Sequence, residues 1–132
     1  MSEVTTRGAA ETVSAFLAEW PKGVAELGRS FEGYLADDLD YENVGLTHTR
    51  TKAEAKALIE NFAPGLDNIA LDMLAVSEDG ERVFTERVDH LRRKDGSVIA
   101  SIRVLGIFIV RGGLIVEWRD YFDTIPFAAK PA

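Results

Sequence analysis

A chain of 132 residues, 46% hydrophobic and 28% charged, is the right size for one soluble domain, read here as residues 1–132. Its formal net charge of −7 argues against a nucleic-acid partner, and the absence of cysteine excludes disulfides, thiolate metal sites and cysteine nucleophiles. No apolar run reaches the ~20 residues that span a bilayer, and "MSEVTTRGAAE" has no signal-peptide pattern, so the expected location is cytoplasmic, away from membranes.

The first half predicts helices. Val13, Phe16, Leu17 and Trp20 recur at helical spacing until Pro21 closes the element. Val24, Leu27, Phe31, Tyr34 and Leu35 form the stripe of a second helix. "DYENVG" reads as a brief strand, in which Tyr41 and Asn43 share a face. "TKAE" at 51–54 is a capping box that opens a third helix running towards Pro64.

The second half predicts strands. Asp79-Gly80, Asp95-Gly96 and Gly112-Gly113 divide residues 68–123 into four long antiparallel strands. Helices followed by a curved sheet define an α+β domain, with the helices covering one concave face.

Period two sorts the side chains of "ERVFTERVDHLRRKDG", residues 81–96. Val83, Thr85, Arg87, Asp89 and Leu91 point one way; Phe84, Glu86, Val88, His90 and Arg92 point the other. The basic run Arg92-Arg93-Lys94 is a solvated turn. In "LIVEWRDYFD" the buried set is Leu114, Val116, Trp118, Asp120 and Phe122, which places one acid among apolar neighbours. An unpaired ion there would cost several kcal/mol.

If Lys94 pairs with Ser97, Asp89 faces Ile102 and Arg87 faces Val104. A three-residue loop, Arg111 to Gly113, then pairs Val104 with Asp120 and keeps apolar faces together. Arg87 can reach Asp120 across that gap while also meeting Asp89. Two acids and one base in a confined place favour a shared proton, leaving one acid and one base on a common cavity. A structural ion pair is the bland alternative. Tyr41 and Asn43 can hold a water molecule whose proton passes to Asp120.

These residues, in "YEN" (41–43), "ERVDHL" (86–91) and "WRDYFD" (118–123), resemble the limonene-1,2-epoxide hydrolase family. The resemblance covers nearly the whole chain after the first helices. It implies a cone-shaped domain similar to nuclear transport factor 2, with helices on a strongly curved, mixed and mostly antiparallel sheet. It implies an epoxide hydrolase in which Asp120, with Tyr41 and Asn43, deprotonates water. Asp89 would protonate the epoxide oxygen, and Arg87 would hold both acids. It also implies one-step hydrolysis to a vicinal diol and a dimer. A longer N-terminal segment of relatives is expected to be missing here.

The expected substrate is a small hydrophobic epoxide, cyclic or terpene-like, attacked by water. Val83, Leu91, Ile102, Val104, Trp118 and Phe122 are candidates for the cavity's sheet wall, with Phe127 closing it from the tail "IPFAAKPA". No cofactor and no metal are expected: His48 is placed in a loop and His90 on the outward sheet face. Leu105, Ile107 and Ile109 make the outer face apolar as well, which suggests a homodimer through that face. An isomerase resembling ketosteroid isomerase, an epoxide-opening cyclase and a non-catalytic binding domain remain alternatives.

Overall fold

The computed structural model describes residues 8–127. Helix α1 (Ala9–Ala18) passes through a 3₁₀ turn at Trp20–Lys22 into α2 (Val24–Tyr34). The first strand, β1 (Leu35–Asn43), follows without a loop; then come β2 (Thr47–Thr49) and α3 (Lys52–Phe62). Four long strands follow, β3 (Asn68–Asp79), β4 (Arg82–Arg92), β5 (Val98–Arg111) and β6 (Leu114–Tyr121), and a 3₁₀ turn at Ile125–Phe127 ends the described chain. They form one sheet in the order β2-β1-β6-β5-β4-β3. Only the β1–β6 pair among the described strands is parallel. The sheet is mixed and mostly antiparallel, as expected, and the helices pack on one of its faces.

Two details of the first half differ from expectation. Leu35 belongs to β1 rather than the second helix: its backbone is already extended (φ −104°, ψ 143°), and it pairs with Ile115 of β6. The brief strand is therefore nine residues long, because β6 offers a parallel edge along most of its length. Val24, in the first turn of α2, is 54% exposed; Leu27, Ser30 and Phe31 make the buried face.

The helix termini are tied down locally. Gly8 has no side chain to cap α1, and Glu78 of β3 accepts from the Ala10 N–H instead (2.7 Å). At α3 the Thr51 hydroxyl accepts from the Glu54 N–H (3.1 Å), while Glu54 accepts from the Arg50 N–H (2.8 Å). Thr51→Ala removes an acceptor from the first turn and should cost ~1 kcal/mol. Denaturant unfolding should show a lower midpoint at an unchanged slope; an unchanged midpoint would mean that the cap contributes nothing.

The core lies between helices and sheet. Phe16, Trp20, Phe31 and Trp118 meet there with ring centroids 5.3–6.4 Å apart, mostly edge-on or tilted.

The register of the last two strands decides where Asp120 lies. Gly112 and Gly113, at φ 61° and 78°, form a two-residue turn that pairs Arg111 with Leu114. The expected three-residue loop is not used. The pairing then slips by one residue between Ile109 and Val110, leaving Val116 without a partner. This bulge sends Ile115 rather than Val116 into the core and returns Trp118 and Asp120 to the inner face. Asp120 consequently sits opposite Gly106, two residues from the expected Val104. A similar slip near the Asp95-Gly96 turn pairs Arg93, not Lys94, with Ser97. It leaves Arg87 opposite Val104 and Asp89 opposite Ile102, as the alternation predicts.

Candidate active site

On β4 the side chains of Val83, Thr85, Arg87, Asp89 and Leu91 are all buried, and the charges at its centre meet the acid of β6. Arg87 is 0% exposed. Its Nε donates to Asp89 Oδ1 (2.9 Å), and its Nη2 is shared between Asp89 Oδ2 (3.3 Å) and Asp120 Oδ2 (2.9 Å). Its Nη1 donates to the Thr85 hydroxyl (2.9 Å). The rings of Trp20 and Phe108 each lie 5.9 Å from the guanidinium carbon, so the cation has aromatic neighbours as well as anions.

Asp120 has a second donor in Trp118 Nε1, at 2.8 Å from Oδ1. The indole is held between Tyr41 and Phe108, stacked at centroid distances of 4.0 and 5.5 Å. Trp118 therefore orients the carboxylate in addition to walling the cavity.

Strand β1 supplies the remaining polar pair. Its parallel register sets Asn43 directly beside Asp120 and Tyr41 beside Trp118. The Tyr41 hydroxyl donates to Asn43 Oδ1 (3.2 Å), and Asn43 Nδ2 donates to Thr47 Oγ1 on β2 (2.9 Å). One N–H of the amide and the lone pairs of the phenol remain for a bound molecule.

Burial decides the electrostatics. It pushes Asp89 up to about 6, against the opposing charge and hydrogen bonds of Arg87 and with help from the charge of Asp120. Burial raises Asp120 as well, opposed by Arg87 and by the Trp118 hydrogen bond. Burial alone would weaken the charge on Arg87, but the two carboxylates together outweigh it and hold the guanidinium above its usual value. Tyr41 is driven upward by burial and by Asp120, so it acts as a neutral phenol. One cation between two acids is balanced when the acids share one proton.

The two acids border one cavity of ≈ 530 Å³ of atom-free space, its mouth included; the fully buried Arg87 is not part of its lining. Asp89, Asp120, Tyr41 and Asn43 supply its polar wall. Of the expected apolar residues, Leu91, Ile102, Val104, Trp118 and Phe122 line it. Val83 and Phe127 do not. Val83 lies on the same face of β4 but further along the strand, wholly inside the core. Phe127 packs against Phe62 and Phe122 beside the wall, at 5.7 and 5.6 Å. The rest of the expected tail, 128–132, lies outside the described residues.

The rest of the lining was not anticipated: Ile69 of β3 beside Leu91 on the sheet, and Trp20 with Leu58, Ile59 and Phe62 of α3 on the helical side. The signal was present, since Ala55, Leu58, Ile59 and Phe62 recur at helical spacing behind the capping box. Thr47, Thr85 and Gly106 had none, because their importance depends on register. The histidines stay outside. His90, outward as expected, pairs with Ser101 and Asp72 (2.7 and 2.9 Å). His48 lies in β2 rather than a loop, against Asp40 (2.6 Å).

Helices over a curved mixed sheet, with an arginine bridging two buried acids inside the cone, define an enzyme-like pocket on the nuclear transport factor 2-like fold. The chain belongs to the limonene-1,2-epoxide hydrolase catalytic domain family, whose model matches residues 8–130. The epoxide hydrolase EphG of Mycobacterium tuberculosis is 37% identical over 93 residues. That match covers 67% of this chain and spans only 58% of EphG. A solved LEH-like epoxide hydrolase of M. tuberculosis superposes with a TM-score of 0.72 at 31% identity, over 88% of this chain and 83% of that one. A putative SnoaL-like polyketide cyclase from Jannaschia shares the fold at 13% identity, with a TM-score of 0.75 over 99% of this chain and 100% of the other.

Proposed function

We propose that the protein hydrolyses a small hydrophobic epoxide, cyclic or terpene-like, to a vicinal diol in one step and without a cofactor. The observation that carries this reading is a single buried arginine shared by Asp89 and Asp120, two acids that open onto a cavity whose other lining is largely apolar. The family match supports it.

The roles follow from the neighbours. Asn43 lies across the strand from Asp120, so a water held by Asn43 and Tyr41 sits beside Asp120. The spare Asn43 N–H donates to the water oxygen, the phenol oxygen accepts one water proton, and Asp120 accepts the other. As the water oxygen bonds to an epoxide carbon, the C–O bond of the ring breaks and its electrons pass to the ring oxygen. Asp89, kept partly protonated near neutral pH by burial, delivers its proton there. The diol departs with Asp120 protonated and Asp89 ionised, and proton exchange through solvent restores the pair. Arg87 stays charged throughout and holds both carboxylates at the cavity wall.

A homodimer through the outer sheet face and a cytoplasmic location belong to the same reading. Cross-strand neighbours Leu105 and Tyr121, 46% and 41% exposed, lie beside the pair Phe84–Ile107 on that face and support the dimer. Ile109, expected to share it, is already buried, among Arg82, Arg111 and Glu117 of its own chain. No helix among the described residues is long and apolar enough to cross a membrane.

Hydrolysis of limonene oxide and cyclohexene oxide in ¹⁸O-water, under single-turnover conditions with chiral analysis of the diol, tests the proposal. Direct attack puts the label in the first diol released. Label appearing only after a previous turnover would mean an aspartyl ester, and no diol from any hydrophobic epoxide would end the reading.

A further inference from the structure

We propose that Thr85 and Gly106 are positioning residues for this reaction: together they fix the guanidinium of Arg87 in the one orientation that serves both acids. This deepens the epoxide-opening reading and rests on it for its catalytic consequence.

The three residues Thr85, Gly106 and Asp120 form one row across β4, β5 and β6. At the middle of that row there is no side chain, and the guanidinium occupies the room. A β-carbon on Gly106 would lie 2.3 Å from Arg87 Nη1 and 2.8 Å from both Asp120 Oδ1 and Thr85 Oγ1. Those separations are well inside van der Waals contact, so any residue larger than glycine must displace the arginine, the acid or both. Gly106 is not at a positive φ. Its requirement is space, not backbone conformation.

Thr85 sets the other edge. Its hydroxyl is completely buried and donates its only proton to the Gly106 carbonyl (3.3 Å). The oxygen is thereby left as an acceptor, and it receives Arg87 Nη1 at 2.9 Å. With Nη1 anchored there, the planar guanidinium turns Nε and Nη2 towards Asp89 and Nη2 towards Asp120. Remove the anchor and the plane can tilt away from one carboxylate, which weakens the stabilisation of its anion.

Thr85→Val keeps the shape and deletes the acceptor. It should lower kcat roughly 10- to 100-fold on cyclohexene oxide with KM nearly unchanged, the expected size for losing a buried hydrogen bond to a charged group. Thr85→Ser keeps the oxygen and should restore most of that rate. A serine variant as impaired as the valine one would assign the effect to methyl packing and overturn the proposal. In a double-mutant cycle with Arg87→Lys, the two losses should be strongly non-additive, whereas simple additivity would refute action through Arg87. If the valine variant does not fold, Thr85→Ala deletes the same oxygen and takes its place in the cycle.

A second readout needs no substrate. Trp118 donates to Asp120 and should report its ionisation through a fluorescence titration. The charged and titratable groups facing the pair are Arg87 and Asp89 of β4, Asp120 of β6 and Tyr41 of β1, with His90 acting on Asp89 from the outer face. The wall from α3 and the 3₁₀ turn adds only apolar and aromatic side chains. Thr85→Val should move the midpoint upward by about one pH unit, and Thr85→Ser should not. An unmoved midpoint in the valine variant would overturn the proposal. A moved midpoint in a protein that opens no epoxide would keep the positioning role and remove only the proposed reaction.

Discussion

Asp120→Asn and Asp89→Asn should each lower diol formation by ~10²–10⁴-fold, the usual contribution of a positioned proton acceptor or donor, while the thermal midpoint should stay within a few degrees of wild type. Electroneutrality explains the second half of that expectation. Arg87 faces two acids, and one proton shared between them would leave a single negative charge opposite the cation. Making either acid an amide leaves one cation with one anion, so no buried charge is stranded. In the proposed mechanism the chemistry has no such reserve, because each acid has a separate task. The pH profile separates them: with Asp89 as proton donor and titrating at about 6, the rate falls as pH rises through that value. Asp89→Asn should lack that alkaline limb. Activity within a few-fold of wild type in both variants would sink the acid/base assignment.

Arg87→Met has the opposite profile, with its largest effect on the fold. At pH 8 it should cost ~3–5 kcal/mol, the usual penalty for stranding a buried charge by removing its partner. For a chain of this size that is a fall in midpoint of roughly 10–20 °C. The sign against pH is fixed. Burial already raises both acids above their ordinary value of 3.8, so their folded forms prefer the proton. Stability from a raised carboxyl is complete below its unfolded value and is lost as pH rises through the folded one. Deleting the cation raises both further. The deficit should therefore be small near pH 4 and widest at pH 8, measured by thermal unfolding across that range. A deficit independent of pH would make Arg87 a packing residue.

Much of this site was legible before any coordinates, and the reason is alternation. In "VFTERVDHL" every residue assigned inward is inward, because period two admits only two answers and hydrophobic Val83 and Leu91 choose between them. Asp120 was placed on the correct face by a wrong route. The two-residue turn and the bulge at Val116 together give Trp118 and Asp120 the same parity as the expected three-residue loop. Parity survived; register did not. That is why Val104 was expected beside Asp120 and the role of Gly106 went unseen, since a bulge has no residue type that announces it. Val83 and Leu91 share a face and differ only in distance along the strand, so periodicity could not tell core from cavity. The α3 wall was readable as a stripe, but what a stripe faces is a tertiary question.

The polar groups of the cavity stand on β1, β4 and β6, whereas Leu58, Ile59 and Phe62 belong to a helix and Phe122 to the stretch after the last strand. Part of the apolar lining thus lies off the strands that carry the acids, while Ile69, Leu91, Ile102 and Val104 share the sheet with them. If the protein opens epoxides as proposed, diversification confined to Leu58, Ile59, Phe62 and Phe122 should alter which epoxides, and which of their mirror images, are accepted while leaving Tyr41, Asn43, Asp89 and Asp120 in place. Such a division makes the scaffold a convenient starting point for directed evolution of stereoselective catalysts.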